Sequence, residues 1–255
     1  MVSEERKPLI DQGKLETRNL AECLAVDQLA LATVLASEVP AGLGERLCRM
    51  AEQTQELGLS KKVAAIGLAL GRWLEEVELA SRQQSLERLA GHPSDTVRSW
   101  AAFAQAHLSC ALDPEAALLA QLRFARDPHF GVREWAWIAL RPCLSRDLGA
   151  ALALLARHGD SDDPLVRRFC IEILRPRGVW CEHIAALKAE PEMAEALLVP
   201  HLAETEKYPQ DSVANWLNDA SKTRPDWVRQ LFQHHPPDCK ASRRIHSRAT
   251  RSLPQ

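Results

Sequence analysis

Tyrosine occurs once in these 255 residues, glycine only 11 times, and aromatics make up 5% of the chain. Sheet proteins draw on aromatic and β-branched residues and on glycine-bearing turns, so this poverty argues against strands. No CxxC pair occurs among the seven cysteines, Cys23, Cys48, Cys110, Cys143, Cys170, Cys181 and Cys239. An odd set seated among apolar neighbours reads as reduced thiols rather than a disulfide framework. The nine histidines are scattered, and neither Cys181 with His183 nor the His234–His235 pair supplies a four-ligand zinc spacing, so no metal is expected. GxGxxG, Walker A and GxSxG motifs are absent too, which leaves nucleotide binding and serine-hydrolase chemistry without support. No cofactor is expected. No run approaches the roughly 18 apolar residues of a membrane span, and the opening MVSEERKPLIDQGKLETRNL lacks a signal peptide's apolar core. The expectation is a cytoplasmic protein that meets no membrane.

What the chain does have is alanine, leucine, arginine and glutamate in abundance, the composition of an all-α fold. With 46% hydrophobic residues it can bury a sizeable core. The formal net charge of −2 excludes an indiscriminate coat for nucleic acid, but charge is unevenly spread. Residues 1–120 carry 12 Lys/Arg against 17 Asp/Glu, whereas 121–255 carry 20 against 17. The tail KASRRIHSRATRSL holds five bases and no acid. A local basic surface on a near-neutral protein is compatible with a groove that follows phosphates, and equally with a solvated helix.

A unit recurs along the chain: HPSDTVRSWAAFAQAHL, DPHFGVREWAWIALRPCL, SDDPLVRRFCIEILRPRG and YPQDSVANWLNDASKTRP. Each begins in an Asp or Pro turn and runs into a helix. The anchoring valines are Val97, Val132, Val166 and Val213, spaced 35, 34 and 47 residues apart, periods that suit helix-turn-helix repeats of the HEAT kind. Three residues after each valine stands an aromatic, Trp100, Trp135, Phe169 or Trp216, which is most simply a packing ladder. The expected organisation is a poorly ordered segment over 1–19 and a single monomeric domain over 20–255, with capping helices over 20–90 and repeats over 91–255.

Helical phase assigns a polar stripe to each repeat, since residues advance about 100° each. Glu134, Trp137 and Arg141 share one face in the second unit. Arg168, Glu172 and Arg175 share it in the third, and Asn215, Asp219 and Lys222 in the fourth. Arg141, Arg175 and Lys222 all fall nine residues after their valines, so stacking would align them into a basic ladder able to meet successive phosphates. Salt bridges at i,i+3 on a solvated face are the alternative reading.

The stretches SVANWLNDASKTRPDW (212–227) and VRRFCIEILRPRGVW (166–180) resemble the HEAT-like alkylpurine DNA glycosylases of the AlkD/AlkC superfamily, with the stronger similarity to the AlkC branch. The repeat register extends the resemblance over about 90–255. It implies a concave basic surface that grips duplex DNA and hydrolyses the N-glycosidic bond of cationic N-alkylated bases such as 3-methyladenine. Asp219 matches the family's acid in the LND helix, and Trp180 matches its tryptophan after RPR. Glu172 matches the acid in the preceding helix. The AlkC acid that lies about four residues before an RP is Trp137 here, and Glu134, one turn away, is the acid on that face. The resemblance therefore implies Asp219 and Glu134 as catalytic carboxylates, with Trp180, Trp137 and Glu172 at the lesion. Arg141, Arg168, Arg175, Arg177, Lys222, Arg243, Arg244 and Arg248 would meet the DNA backbone. The partner would be alkylated double-stranded DNA. An added C-terminal immunoglobulin-like domain, carried by some members, is not expected. A HEAT scaffold that binds DNA or a protein without cleaving anything is the competing function.

Overall fold

The computed structural model describes residues 4–111 and 113–253, apart from the side chain of Ala41. No strand occurs among the described residues, and the helical composition is realised as an all-α fold. The chain packs as two compact units, Met1–Leu140 and Arg141–Gln255.

The first unit contains α1 (Arg6–Asp11), α2 (Leu20–Ala25), α3 (Gln28–Ala36), α4 (Ala41–Gln53), α5 (Leu59–Glu75), α6 (Leu79–Ala90), α7 (Asp95–Ser109), α8 (Pro114–Ala125) and most of α9 (Phe130–Leu144). Helix α5 lies along α7, with Ile66, Leu70, Trp100 and Phe103 buried between them. Close approach is possible because α5 carries Gly67. A Cβ there would sit 2.4 Å from the Phe103 Cβ and 2.7 Å from the Trp100 carbonyl oxygen.

Of the segment over 1–19 expected to be poorly ordered, residues 1–3 lie outside the described residues, while Thr17 is hydrogen-bonded to distant parts of the chain. Thr17 is 1% exposed; its amide donates to Asp95 Oδ1 at 2.9 Å and its hydroxyl to Oδ2 at 2.8 Å. His129 Nε2 lies 2.7 Å from the Thr17 carbonyl oxygen. The partners lie 78 and 112 residues away in sequence, so no local pattern announced them.

The second unit follows with α10 (Leu148–Gly159), α11 (Pro164–Glu172), α12 (Ala185–Ala189), α13 (Glu195–Leu198) between two short 3-10 turns, α14 (Lys207–Ser221), α15 (Pro225–His234) and α16 (Lys240–Ala249). Asp residues begin several of the helices in both units. Asp113, Asp147 and Asp163 each accept hydrogen bonds from amides of the first turn, and Pro114 and Pro164 fill first-turn positions that need no donor. Helix α14 packs on α11, α15 and α16.

The aromatic ladder is core: Trp100, Trp135, Phe169 and Trp216 are 6% exposed or less. A second regularity escaped the sequence reading. The arginine directly after three of the valines ties down its own turn. Arg98 Nη1 donates to the carbonyls of His92 and Pro93, Arg133 Nη1 to those of Asp127 and Pro128, and Arg167 Nη1 to those of Ser161 and Asp162. Arg98 also forks onto Asp127, and Arg167 onto Glu204, so each fixes the turn of the next repeat as well. The repeated Val-Arg pair was the available signal. The fourth repeat has Ala214 at this position.

Candidate nucleic-acid interface

Helices α11, α14 and α16 and the loop after α11 bring the polar residues of the second unit together. Asp219 lies in the last turn of α14 and is 4% exposed. Glu172 closes α11, also 4% exposed, and Arg175 follows in the turn beyond. Arg175 bridges the two helices. Its Nη1 donates to Glu172 Oε1 at 2.5 Å, while Nε and Nη2 both reach Asp219 Oδ2, at 3.0 and 2.8 Å. The other Asp219 oxygen, Oδ1, faces Lys222 Nζ at 3.5 Å, and that lysine side chain is 42% exposed.

Burial favours the neutral form of Glu172, but the charges of Arg175 and Arg168 and a hydrogen bond from Ser212 more than offset it, leaving the carboxyl below its ordinary range. Burial likewise opposes the Arg175 cation, and its two carboxylates overcome that, raising its pKa. Arg168 lays its guanidinium 4.5 Å from the centre of the Tyr208 ring. The site is therefore an internally neutralised ionic network with one exposed cation at its mouth.

Burial differs among the residues expected at the site. Arg141, Arg168 and Arg175, expected to meet phosphates, are each 8% exposed or less. Arg175 is covered by α14 and Arg141 by the loop after α11. Glu172, expected at the lesion, is an internal partner of Arg175. Trp137, expected at the lesion too, is 2% exposed in the first unit, where its Nε1 donates to Glu134 Oε2 at 2.8 Å. Glu134 is half-buried and engaged by that indole.

Arg141 has a different task. Its Nη1 donates to the Ile173 carbonyl at 2.7 Å, and its Nη2 to those of Arg175 at 2.7 Å and Glu182 at 2.9 Å. The first acceptor belongs to the C-cap of α11 and the second to the turn beyond it. Between them and Glu182 runs the loop that carries half-buried Arg177, then Gly178, Val179 and Trp180. Trp180 is 46% exposed with φ at 65°, the only non-glycine in the left-handed region among the described residues.

Around this core lie the cations that do meet solvent. Arg243 is exposed, and Arg244 and Arg248 pair with Asp211 at the flank of α14. Arg251, which the sequence reading did not single out, is exposed and donates to Asn215 Oδ1 at 3.0 Å. Partial burial, then the neighbouring Arg248 charge, lower its pKa, with Asp219 opposing and Arg175 adding to the effect. Its place in the tail of bases was the only signal. Asn218, the residue before Asp219, is buried as well. No group of three or more His, Cys, Asp or Glu able to hold a metal occurs among the described residues, and no described helix is long and apolar enough to cross a membrane.

No family model matches the chain. The uncharacterized protein YhaZ of Bacillus subtilis (strain 168) is 37% identical over 102 residues, 38% of this chain and 29% of that protein. Among solved structures, the Pseudomonas fluorescens alkylpurine DNA glycosylase AlkC, bound to DNA containing an abasic site analog, superposes with a TM-score of 0.67 at 23% identity. That match covers 93% of this chain and 65% of AlkC. AlkD2 from Streptococcus mutans gives 0.65 at 19% identity, covering 84% of this chain and all of that one. The protein smu.31 from Streptococcus mutans UA159 gives 0.56 at 18%, with 89% and 100% covered. The chain shares the HEAT-like all-α fold of these structures. It spans less than a third of the curated relative and about two thirds of AlkC.

Proposed function

We propose that this protein is a DNA repair glycosylase that hydrolyses the N-glycosidic bond of cationic N-alkylated bases in duplex DNA. The observation that carries the reading is the fixed carboxylate of Asp219, oriented by Arg175 through Oδ2, with the solvent-facing Lys222 and Arg251 near it. The fold shared with AlkC and AlkD2 supports it.

The chemistry asks little of such a site. A base alkylated on a ring nitrogen already carries positive charge, so the C1′–N bond can break with its electron pair going to the base and no acid is needed. The sugar left behind is an oxocarbenium-like cation, which a fixed carboxylate stabilises in a poorly hydrated setting. Water then bonds to C1′ and loses a proton, giving an abasic sugar and a neutral free base. Asp219 Oδ1, the oxygen on the Lys222 side, is the atom assigned to that cation. An exposed indole attracts a cationic base or covers the gap it leaves. Lys222, Arg243, Arg244, Arg248 and Arg251 are assigned to the phosphates, where cations supply affinity without sequence preference. Glu134 belongs to the first unit with its carboxylate engaged by Trp137, so the proposed chemistry rests on Asp219.

One observation favours a second reading, a HEAT scaffold that binds DNA without cleaving it: both Asp219 oxygens are engaged and the residue is 4% exposed. Release of methylated bases from duplex DNA, compared between wild type and Asp219→Asn at fixed salt with DNA affinity measured alongside, separates the two. Release by wild type that is lost in the variant while binding persists is the expected result. Tight DNA binding by folded wild type with no methylated base released would leave the scaffold.

A further inference from the structure

The loop between α11 and α12 combines three features that secondary structure alone does not require. Its tip presents adjacent exposed apolar residues, Val179 at 56% and Trp180 at 46%. Trp180 is held at φ 65°, a conformation that disfavours a residue with a Cβ and persists where the surroundings enforce it. At the neck of the loop the buried guanidinium of Arg141 spans from the end of α11, at Ile173 and Arg175, to Glu182 on the returning strand of chain. A further bond, from the Ile184 amide to the Pro176 carbonyl at 3.0 Å, closes the neck from the other side.

The interior of the loop is filled just as tightly. A Cβ on Gly178 would fall 2.1 Å from Cys181 Sγ, with the Arg141 Cζ 3.5 Å away. Gly178, Cys181 and Arg141 therefore pack on one another, and the residues between them, Val179 and Trp180, have no route but outward. Only a planar group with several fixed donors can hold carbonyls on both sides of such a neck; a lysine offers a single nitrogen.

Building on the glycosylase reading, we propose that Arg141 is a positioning residue that clamps the 173–182 loop and so presents Trp180 to the DNA. It touches no DNA itself. Its contribution to base release runs through the indole, which it keeps in a left-handed conformation that the loop would otherwise relax. Burial lowers the guanidinium's pKa, with the Cys181, Glu172 and Asp219 charges opposing it, and its donors are taken up by carbonyls.

Two readouts test this on the full chain, one independent of activity. Trypsin cleavage at the Arg177–Gly178 bond reports loop opening. Arg141→Lys is expected to be cut there about tenfold faster than wild type, with cleavage elsewhere in the chain unchanged. Equal rates at that bond would overturn the clamp whatever the activity. In single-turnover base release, Trp180→Ala and Arg141→Lys are each expected to lose about tenfold or more, and the double variant to be no slower than Trp180→Ala alone. Additive losses, or full activity in Arg141→Lys, would show that Arg141 does not act through Trp180. Gly178→Ala provides a route that leaves every Arg141 donor in place. It should open the loop and slow release, and adding Cys181→Ala, which removes the clashing sulfur, should restore both. Failure of the second change to rescue the first would count against the packed loop. Absence of base release by wild type would overturn the glycosylase reading and with it the catalytic part of this proposal, while the trypsin result would still decide the clamp.

Discussion

Arg175 donates two hydrogen bonds, from Nε and Nη2, to a single oxygen of Asp219 across 44 positions of sequence, and a third to Glu172. Two helices are thereby joined by one buried cation between two buried anions. Removing the cation strands both carboxylates, which costs about 3–5 kcal/mol where a buried pair is broken. Arg175→Ala should therefore unfold at markedly lower denaturant than wild type in an equilibrium titration. Glu172→Gln, which keeps the shape and one acceptor, should lose less. Equal losses would mean that Arg175 acts by packing rather than by charge.

The contact of α5 with α7 predicts intolerance at Gly67. Alanine there must displace the Phe103 side chain and the backbone at Trp100, and overpacking of this kind costs about 1–3 kcal/mol or more. Gly58, whose Cβ would meet nothing within 4 Å, is the control. Melting temperatures should fall clearly for Gly67→Ala and hardly change for Gly58→Ala.

The tie between Thr17 and Asp95 predicts that the first residues contribute to stability. Thr17→Val removes the hydroxyl donor from a carboxylate that is 3% exposed, and an unsatisfied buried acceptor costs about 1–3 kcal/mol. Hydrogen exchange at the start of α7 should speed up in the variant. Unaltered exchange there would indicate that the Thr17 amide and His129 suffice.

Cys170 is fully buried, and burial pushes its thiol up to about 12. Because the thiolate is the reactive form, Cys170 should stay unmodified by an alkylating reagent at pH 8 while the protein is folded. All seven cysteines are free thiols, so mass mapping after native and denatured labelling checks this directly.

Acidification should lower stability in two steps. Burial pulls the His92 and His201 pKa values below the ordinary 6.5, so folding favours their neutral forms. Their contribution is complete above 6.5 and declines as pH falls below it. Glu172 and Glu204 end below the ordinary 4.5, burial being outweighed by their arginine partners, so their contribution is complete above 4.5 and is lost as pH falls further. Melting temperatures from pH 8 to 3.5 should show both declines, and His201→Asn should shrink the first.

The helices, their Asp and Pro starts and the aromatic ladder were legible in the sequence because each depends on residues within a few turns of one another. The grouping of Glu172, Arg175, Asp219 and Lys222 was legible in their spacing, although Arg175 stands in the turn beyond α11 rather than on the helix. Which of them face solvent was not. Arg141 reads as a cation nine residues after a valine, with nothing nearby to reveal that its acceptors lie 32, 34 and 41 residues downstream. Trp180 could be singled out as a residue, but its left-handed backbone could not. Thr17 gave no sign of its partners at all.

The sequence by itself determined that the chain is helical and repetitive and that acids and bases would share a face, because helical period and turn chemistry act over short distances. Only the tertiary structure decided which charges neutralise one another and which remain exposed. Burial and ion pairing are set by whatever covers a helix face, and here that is chain from tens of residues away.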